Sequence, residues 1–183
     1  NAMVNRTELL RQVDGIYQAE VGVTLQVTQT VVYTTPSDPF SDTTDYSALL
    51  NEFSSYRGAA GSPMAGTDIS HLFTGRDLNG NVIGIAWLGT VCSSYYGSSL
   101  GQDFTTTNKS LVILTAHEIG HNFNAPHDTE AGSPCAAEPF GYIMYPSVST
   151  SLNLLFSNCS KSYIAGEVAS DTCLSTVSVG TPT

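Results

Sequence analysis

The sequence predicts an α/β fold, with helices and strands alternating early in the chain and an irregular second part. Two observations support this: apolar residues recur at helical spacing in some segments and at alternate positions in others. Beyond about residue 124, a region rich in Gly, Pro and Ser runs to about residue 156, and a short helix is predicted at 161–169. A chain of 183 residues fits one domain of ordinary size, so residues 1–183 are expected to form a single domain.

Apolar spacing predicts two helices and a strand in the first 66 residues. The first helix begins near Thr7, and its apolar positions are Leu9, Leu10, Val13, Ile16 and Tyr17. A strand is predicted directly after it, from the alternating residues Val21, Val23, Leu25 and Val27. A loop with Pro36 and Pro39 precedes the second helix, whose apolar positions are Leu49, Leu50, Phe53 and Tyr56. That helix is expected to end at the Gly- and Ala-rich stretch 58–66.

Two more strands and a longer helix are predicted in the middle of the chain. The strands cover residues 69–73 and 82–88, and the Asn79–Gly80 pair between them is a strong turn signal. The helix runs from about Thr107 to Asn124, with a stripe formed by Val112, Thr115, Ile119 and Phe123. It must end near Asn124, because the residue before Pro126 is pushed out of helical geometry.

Only 12% of the residues are charged, while Ser, Thr, Gly and Asn are abundant, which is typical of an extracellular protein. Six Lys and Arg against sixteen Asp and Glu give a formal net charge of −10, which would repel a phosphate backbone and argues against a nucleic-acid partner. No apolar run approaches the roughly 20 residues of a spanning helix, so membrane insertion is not expected. Neither Cys-x-x-Cys pairs nor zinc-finger spacing occur, so a disulfide framework with three open pairings is predicted for Cys92, Cys135, Cys159 and Cys173.

Three of the four histidines lie within residues 117–127 at a spacing that suits a metal site. On a helix, His117 and His121 are separated by about 400° of rotation and roughly 6 Å of rise, so both rings can share one ion. Glu118 lies about 100° away from His117, where its carboxylate can reach a water on the metal. His127 lies just past the predicted helix end and can supply a third ligand. Three protein ligands leave one position for water, as in catalytic zinc sites.

Two functions agree with this motif. One is a zinc-dependent endopeptidase, in which Glu118 acts as general base for attack by a zinc-bound water on a peptide bond. The other is a non-catalytic module that keeps zinc for stability and binds proteins or peptides. Glu118 favours the enzyme, because a structural zinc site needs no base and usually fills all four positions with protein. The fourth histidine, His71, falls in a predicted strand and is expected to have a hydrogen-bonded structural role.

The string His117-Glu118-Ile119-Gly120-His121-Asn122-Phe123-Asn124-Ala125-Pro126-His127-Asp128 resembles the metzincin clan of zinc proteases. Within that clan it is similar to the adamalysin or reprolysin family, in which Asp directly follows the third His. The likeness runs from about Asn5 to Cys173. The stretch Tyr142–Pro146 looks like the clan's Met-turn, in which Met144 would lie beneath the metal and Tyr145 would be a packing residue.

The resemblance implies a twisted, mostly parallel sheet with an antiparallel edge strand, a long active-site helix and a loop-rich C-terminal subdomain. The upper subdomain would cover residues 4–127 and the lower one 128–176, with Asn1–Met3 resembling a remnant of tag removal. The disulfides implied by the likeness are Cys92–Cys173 and Cys135–Cys159. One catalytic Zn²⁺ is implied, and Ca²⁺ is common in the family, although no complete calcium ligand set can be assigned. Secretion and a polypeptide substrate from the extracellular space are expected.

The likeness also implies where the substrate lies. It would pair with an edge strand at Tyr96, Gly97, Ser98, Ser99 and Leu100. A pocket for the primed side, beyond the scissile bond, would be walled by Pro146, Ser147 and Val148.

The chain departs from the family pattern at two points. Asn124 stands where members have Gly at the sharp turn toward the third ligand, and Asn is the best-tolerated non-Gly residue in a left-handed conformation. Family domains also have a strand, usually a central one, before their first helix, whereas this sequence begins almost at that helix. We therefore expect a sheet that lacks one strand, whose unpaired main chain would favour either pairing with another copy of the chain or instability.

Overall fold

The computed structural model describes residues 5–35 and 37–176, which contain four α-helices and one three-stranded sheet. In chain order, the elements are α1 (Arg6–Val21), α2 (Tyr46–Gly58), β1 (Ser70–Thr74), β2 (Gly84–Ala86), β3 (Ser98–Gln102), α3 (Asn108–Asn122) and α4 (Asn158–Ser170). This composition confirms the predicted α/β class. Of the described helices, none is both long enough and apolar enough to cross a lipid bilayer.

The sheet is mixed and has the order β1-β3-β2. Strand β1 runs parallel to β3, with Ser70 opposite Ser98, and β2 runs antiparallel to β3 as an edge strand. The two strands on either side of Asn79–Gly80 do not pair with each other. The turn itself exists, and Gly80 has a φ of +73°, but β3 lies between the two strands that the turn connects. A local turn signal contains no information about a strand that comes later in the chain.

The strand predicted from the alternation at residues 21–27 is not observed. Helix α1 continues through Val21 and ends at Gly22, which has a left-handed φ of +69°. Residues 24–35 make no main-chain hydrogen bond to another main chain within the described ranges, although the side chains of Val23 and Leu25 pack against the core. The alternation of Val21, Val23 and Leu25 therefore reflects the partial burial of their side chains. A strand also needs a neighbouring strand for its main-chain hydrogen bonds.

Strand β1 is the other edge of the sheet. In the part of the chain that the structure describes, its outer side pairs with no strand, and the sheet has three strands. Unpaired main chain at a sheet edge favours pairing with another chain. Association through this edge stays a prediction.

Helix α3 forms the centre of the core and holds the motif that the sequence singled out. Twelve of its fifteen residues are buried, so it is covered on nearly all sides. Helix α1 packs along it, and the fully buried Tyr17 donates a hydrogen bond of 2.9 Å to the carbonyl oxygen of Ala116. On another side, α3 contacts β2 and β3. This burial fixes the direction of every side chain that α3 presents to the site.

Two disulfides join distant parts of the chain. Cys92, before β3, is bonded to Cys173, beyond α4, and Cys135 is bonded to Cys159 in the first turn of α4. This confirms the pairing that the family resemblance implied. The second bond connects the loop that follows the third histidine of the motif to α4.

We expect the two disulfides to differ in their effect on stability. Loop closure in the unfolded chain predicts a loss of about 4.5 kcal/mol when Cys92 and Cys173 are both replaced by Ala, because 81 positions separate them. The same change at Cys135 and Cys159, 24 positions apart, should cost about 3.5 kcal/mol. Urea unfolding of the two double variants measures both losses. A larger loss for the shorter loop would show that native packing, not loop closure, dominates.

Candidate metal centre

The imidazole rings of His117, His121 and His127 converge on one small volume. Their Nε2 atoms are 3.1 Å apart in all three pairs. Among the described residues, they are the one group of three or more His, Cys, Asp or Glu ligand atoms close enough to hold an ion together. The sequence predicted this triad from spacing alone, and the structure brings its members together.

The chain reverses direction sharply between the second and the third histidine. Helix α3 ends at Asn122, and Asn124 adopts a left-handed φ of +67°, as its position in the motif predicted. The main-chain amide of Asn124 donates to the carbonyl of His121 at 2.8 Å, and that of Ala125 donates to Gly120 at 2.9 Å. These bonds use carbonyls that the helix end leaves free, and they point the chain back toward the site.

The hydrogen bonds made by the Nδ1 atoms determine whether the Nε2 atoms carry a proton. Each Nδ1 atom faces an oxygen that can only accept: Ile143 carbonyl for His117 (2.8 Å), Ala125 carbonyl for His121 (2.8 Å) and Glu130 carboxylate for His127 (2.7 Å). Each Nδ1 must therefore carry the proton, which leaves the Nε2 atom of a neutral ring as an acceptor. The three Nε2 atoms then cannot hydrogen-bond to one another, and three lone pairs point at the same volume.

This arrangement fits a zinc ion. Tetrahedral coordination with Zn–N bonds of about 2.0–2.1 Å separates the nitrogens by roughly 3.3 Å, close to the observed spacing. Burial lowers the pKa of His117 well below its usual value and that of His121 to about 4, and the neighbouring histidines act in the same direction. Both rings are therefore neutral near pH 7, which is the form that binds metal.

Glu118 is buried beside the triad. Its side chain is 4% exposed, burial raises the pKa of its carboxyl group, and its Oε2 has no hydrogen-bond partner among the described residues. Edge strand β2 makes room for it with Gly84: a Cβ atom there would lie 2.3 Å from Oε1 of Glu118. Buried carboxylate oxygens are normally paired, so an unpaired one beside a metal-binding triad marks a functional group.

Met144 lies under the helical turn that joins His117 to His121. It is fully buried, and a Cβ atom on Gly120 would be 2.7 Å from its Sδ. The absence of a side chain at Gly120 therefore lets the Met-turn approach α3. Tyr145 packs its ring against Phe140 at 4.9 Å between centroids, in agreement with the packing role expected for it.

Asp128 connects His127 to α4 and to the Met-turn, a role that the sequence did not reveal. Its Oδ1 accepts hydrogen bonds from the hydroxyls of Ser157 (2.8 Å) and Ser160 (3.2 Å), at the start of α4. Its main-chain amide donates to the carbonyl of Met144 at 2.8 Å. Burial raises the pKa of this carboxyl group. The third histidine is thus anchored to α4 and to the Met-turn by the residue next to it.

The expected substrate strand is not at the sheet edge. Ser98, Ser99 and Leu100 are fully buried in β3, the central strand, which cannot pair with an added chain. Gly97 is also buried, and Tyr96, 47% exposed, packs against Trp87 with ring centroids 5.0 Å apart. The edge-strand prediction is wrong because the sequence could not show that β2, earlier in the chain, lies outside β3.

A cleft of about 450 Å³ opens beside the triad. Its walls come from the end of β2, from two of the three histidines and from the loop after them, and the lining residues are Ala86, Leu88, His121, Pro126, His127, Glu130, Ala131, Gly132, Ser133 and Pro134. Pro146, Ser147 and Val148 are outside this lining, and their role in a primed-side pocket stays a prediction.

Comparison with known proteins agrees with this geometry. The Reprolysin_5 model of metallo-peptidase family M12 matches residues 1–157. The chain is also 33% identical over 130 residues to a zinc metalloproteinase of Deinagkistrodon acutus, recombinant fibrinogenase II. That alignment covers 69% of this chain and 53% of the relative, so the chain spans about half the relative's length.

We expect Gly120→Ala to destabilise the protein although Ala favours helices. The new Cβ would overlap the buried Sδ of Met144, and overpacking of this kind costs about 1–3 kcal/mol. Gly166→Ala in α4 is the matched control: its Cβ meets nothing within 4 Å, so stability should rise by up to about 1 kcal/mol. Urea unfolding of the zinc-free proteins measures both changes. Stabilisation by both substitutions would contradict a rigid Met-turn contact.

Proposed function

The chain belongs to metallo-peptidase family M12, a family of zinc enzymes, and we propose that it is an endopeptidase with Glu118 as its general base. His117, His121 and His127 would hold the catalytic zinc. The observation that best supports this proposal is the buried carboxylate of Glu118, which has an unpaired oxygen and stands beside the triad. A structural zinc site does not need an unpaired carboxylate beside its ligands.

Each side chain of the site has a distinct task in peptide hydrolysis. When bound, zinc supplies Lewis acidity, which polarises a peptide carbonyl and makes water more acidic. Glu118 accepts the proton of the attacking water and delivers it to the nitrogen of the leaving amine. The oxygens bonded to the Nδ1 atoms keep the histidine rings in one tautomer and orientation. Met144 fills the space under the site and excludes solvent from that side.

We propose that the substrate lies extended along β2 and enters the cleft at Ala86 and Leu88. Strand β2 is an edge strand next to the triad, so its free main chain can pair with a polypeptide as an added strand does. This replaces the pairing with β3 that the sequence suggested. Leu88 is 54% exposed at the wall of the cleft, where it can contact an apolar substrate side chain.

The natural substrates are proposed to be extracellular proteins or peptides, and the protein to be secreted. Two disulfides and a surface with few charged residues are typical of an oxidising, extracellular environment. The relative from Deinagkistrodon acutus is named for cleaving fibrinogen, which is a property of that protein. For this chain, it supports a polypeptide substrate without identifying one.

Replacing Glu118 by Gln should separate metal binding from catalysis. The variant keeps the side-chain shape but lacks the base, so zinc should stay bound while cleavage falls at least about 100-fold. His121→Ala removes a ligand instead, so zinc content and cleavage should fall together. Zinc analysis and digestion of a mixed peptide library, with and without chelator, measure both effects.

Two results would overturn the catalytic assignment. One is a wild-type protein that holds one zinc ion and cleaves no peptide in a diverse library. The other is a Glu118→Gln variant as fast as wild type. Either would favour the non-catalytic, peptide-binding module in place of the enzyme.

Gly84→Ala should slow catalysis by displacing the carboxylate of Glu118. The new Cβ would overlap Oε1 of that residue, and a misplacement of this size can cost about 100-fold in rate. Gly75→Ala, whose Cβ meets nothing within 4 Å, is the matched control and should leave the rate unchanged. Both variants are assayed for kcat at full zinc loading. Equal rates in the two variants would show that Gly84 does not control the position of the base.

A further inference from the structure

His127 differs from the other two histidines in the group that holds its outer nitrogen. Backbone carbonyls accept from His117 and His121, whereas the carboxylate of Glu130 accepts from Nδ1 of His127 at 2.7 Å. A hydrogen bond to a charged acceptor is stronger than one to a neutral carbonyl. Glu130 lies outside the run from His117 to Asp128 and gives no signal of this role in the sequence.

The loop after His127 is built so that Glu130 returns to the ring. Asp128 and Cys135 form a bridge between their main chains, and the amide of Thr129 donates to the carbonyl of Cys135 at 3.3 Å. Thr129 has a φ of +63°, which is unfavourable for a β-branched residue. Such a conformation persists only where the surrounding structure enforces it. Here, the buried Asp128 and the bond from Cys135 to α4 hold both ends of the loop.

We propose that Glu130 is a positioning residue that fixes the tautomer and the orientation of His127 as a metal ligand. Its carboxylate keeps the proton on Nδ1, so that Nε2 presents its lone pair to the ion, and its negative charge makes the ring a better donor to a cation. This inference rests on the proposed function only in taking His127 as a ligand. In this proposal Glu130 increases the affinity for the metal, whereas Glu118 transfers the protons.

A surface ion pair without this role would behave differently. The Glu130 side chain is 53% exposed and that of His127 is 28% exposed, so the pair by itself contributes little to folding. Its removal should therefore leave the zinc-free protein as stable as wild type. A pair that only tied down the loop would instead change the stability of the zinc-free protein and leave its zinc affinity unchanged.

The test measures the zinc dissociation constant by competition with a chromogenic chelator. Glu130→Ala should raise this constant about 10–100-fold, as loss of a carboxylate behind a ligand histidine typically does. Glu130→Gln should raise it less, because its amide oxygen still accepts from Nδ1 but has no charge. Asp42→Asn, which removes one exposed carboxylate outside the cleft lining, should change it less than about twofold, because water and salt screen an exposed charge that forms no bond to the histidines.

The outcomes separate this inference from the proposed function. If wild type binds one zinc ion and cleaves peptides while Glu130→Ala binds zinc within about twofold of wild type, only the role of Glu130 is wrong. If wild type binds no zinc, the metal centre itself fails and this inference fails with it. Thermal unfolding of the zinc-free variants serves as the folding control. Should Glu130→Ala unfold, Glu130→Gln decides by the same criterion of affinity.

Discussion

The convergence of three unprotonated ring nitrogens is the constraint on which the rest of the structure depends. Their Nε2 atoms lie 3.1 Å apart with no proton between them, an arrangement that is unfavourable until a cation compensates the lone pairs. The surrounding structure must therefore hold the rings in place. It does so through acceptors behind each ring, and through the reversal at Asn124 that brings the third histidine back to α3.

Each supporting element acts on the same small region. Helix α1 and the sheet bury α3 and so fix the first two histidines, while Asp128 connects the third one to α4. Two glycines permit the close approaches that the site requires: Gly120 admits Met144 from below, and Gly84 leaves space for Glu118 on the side of the sheet. A side chain at Gly120 would displace Met144, and one at Gly84 would displace the carboxylate of Glu118. The glycines are thus part of the site although they bind nothing.

The sheet differs from the one that the sequence predicted for a single physical reason. Side-chain alternation at residues 21–27 and the turn at Asn79–Gly80 are local signals, and both are present in the structure, as partly buried side chains at Val21, Val23 and Leu25 and as a real turn. Whether a segment becomes a strand, and which strand becomes an edge, depends on hydrogen bonds to partners far along the chain. Strand β3 inserts between β1 and β2 for this reason, and the substrate edge moves from β3 to β2.

The sequence by itself determined the ligands, the base and the sharp turn, because helical spacing and the preference of Asn for left-handed geometry act over a few residues. Family likeness added the disulfide pairing and the Met-turn. Only the tertiary structure decided the strand order, the space beside Glu118 and the acceptors behind the rings. Those contacts join residues whose separation in sequence is unrelated to their distance in space. Glu130 shows that even a short separation can escape prediction: it is three positions from His127, and the two meet in a loop where Thr129 adopts a left-handed φ of +63° that a β-branched residue does not suggest.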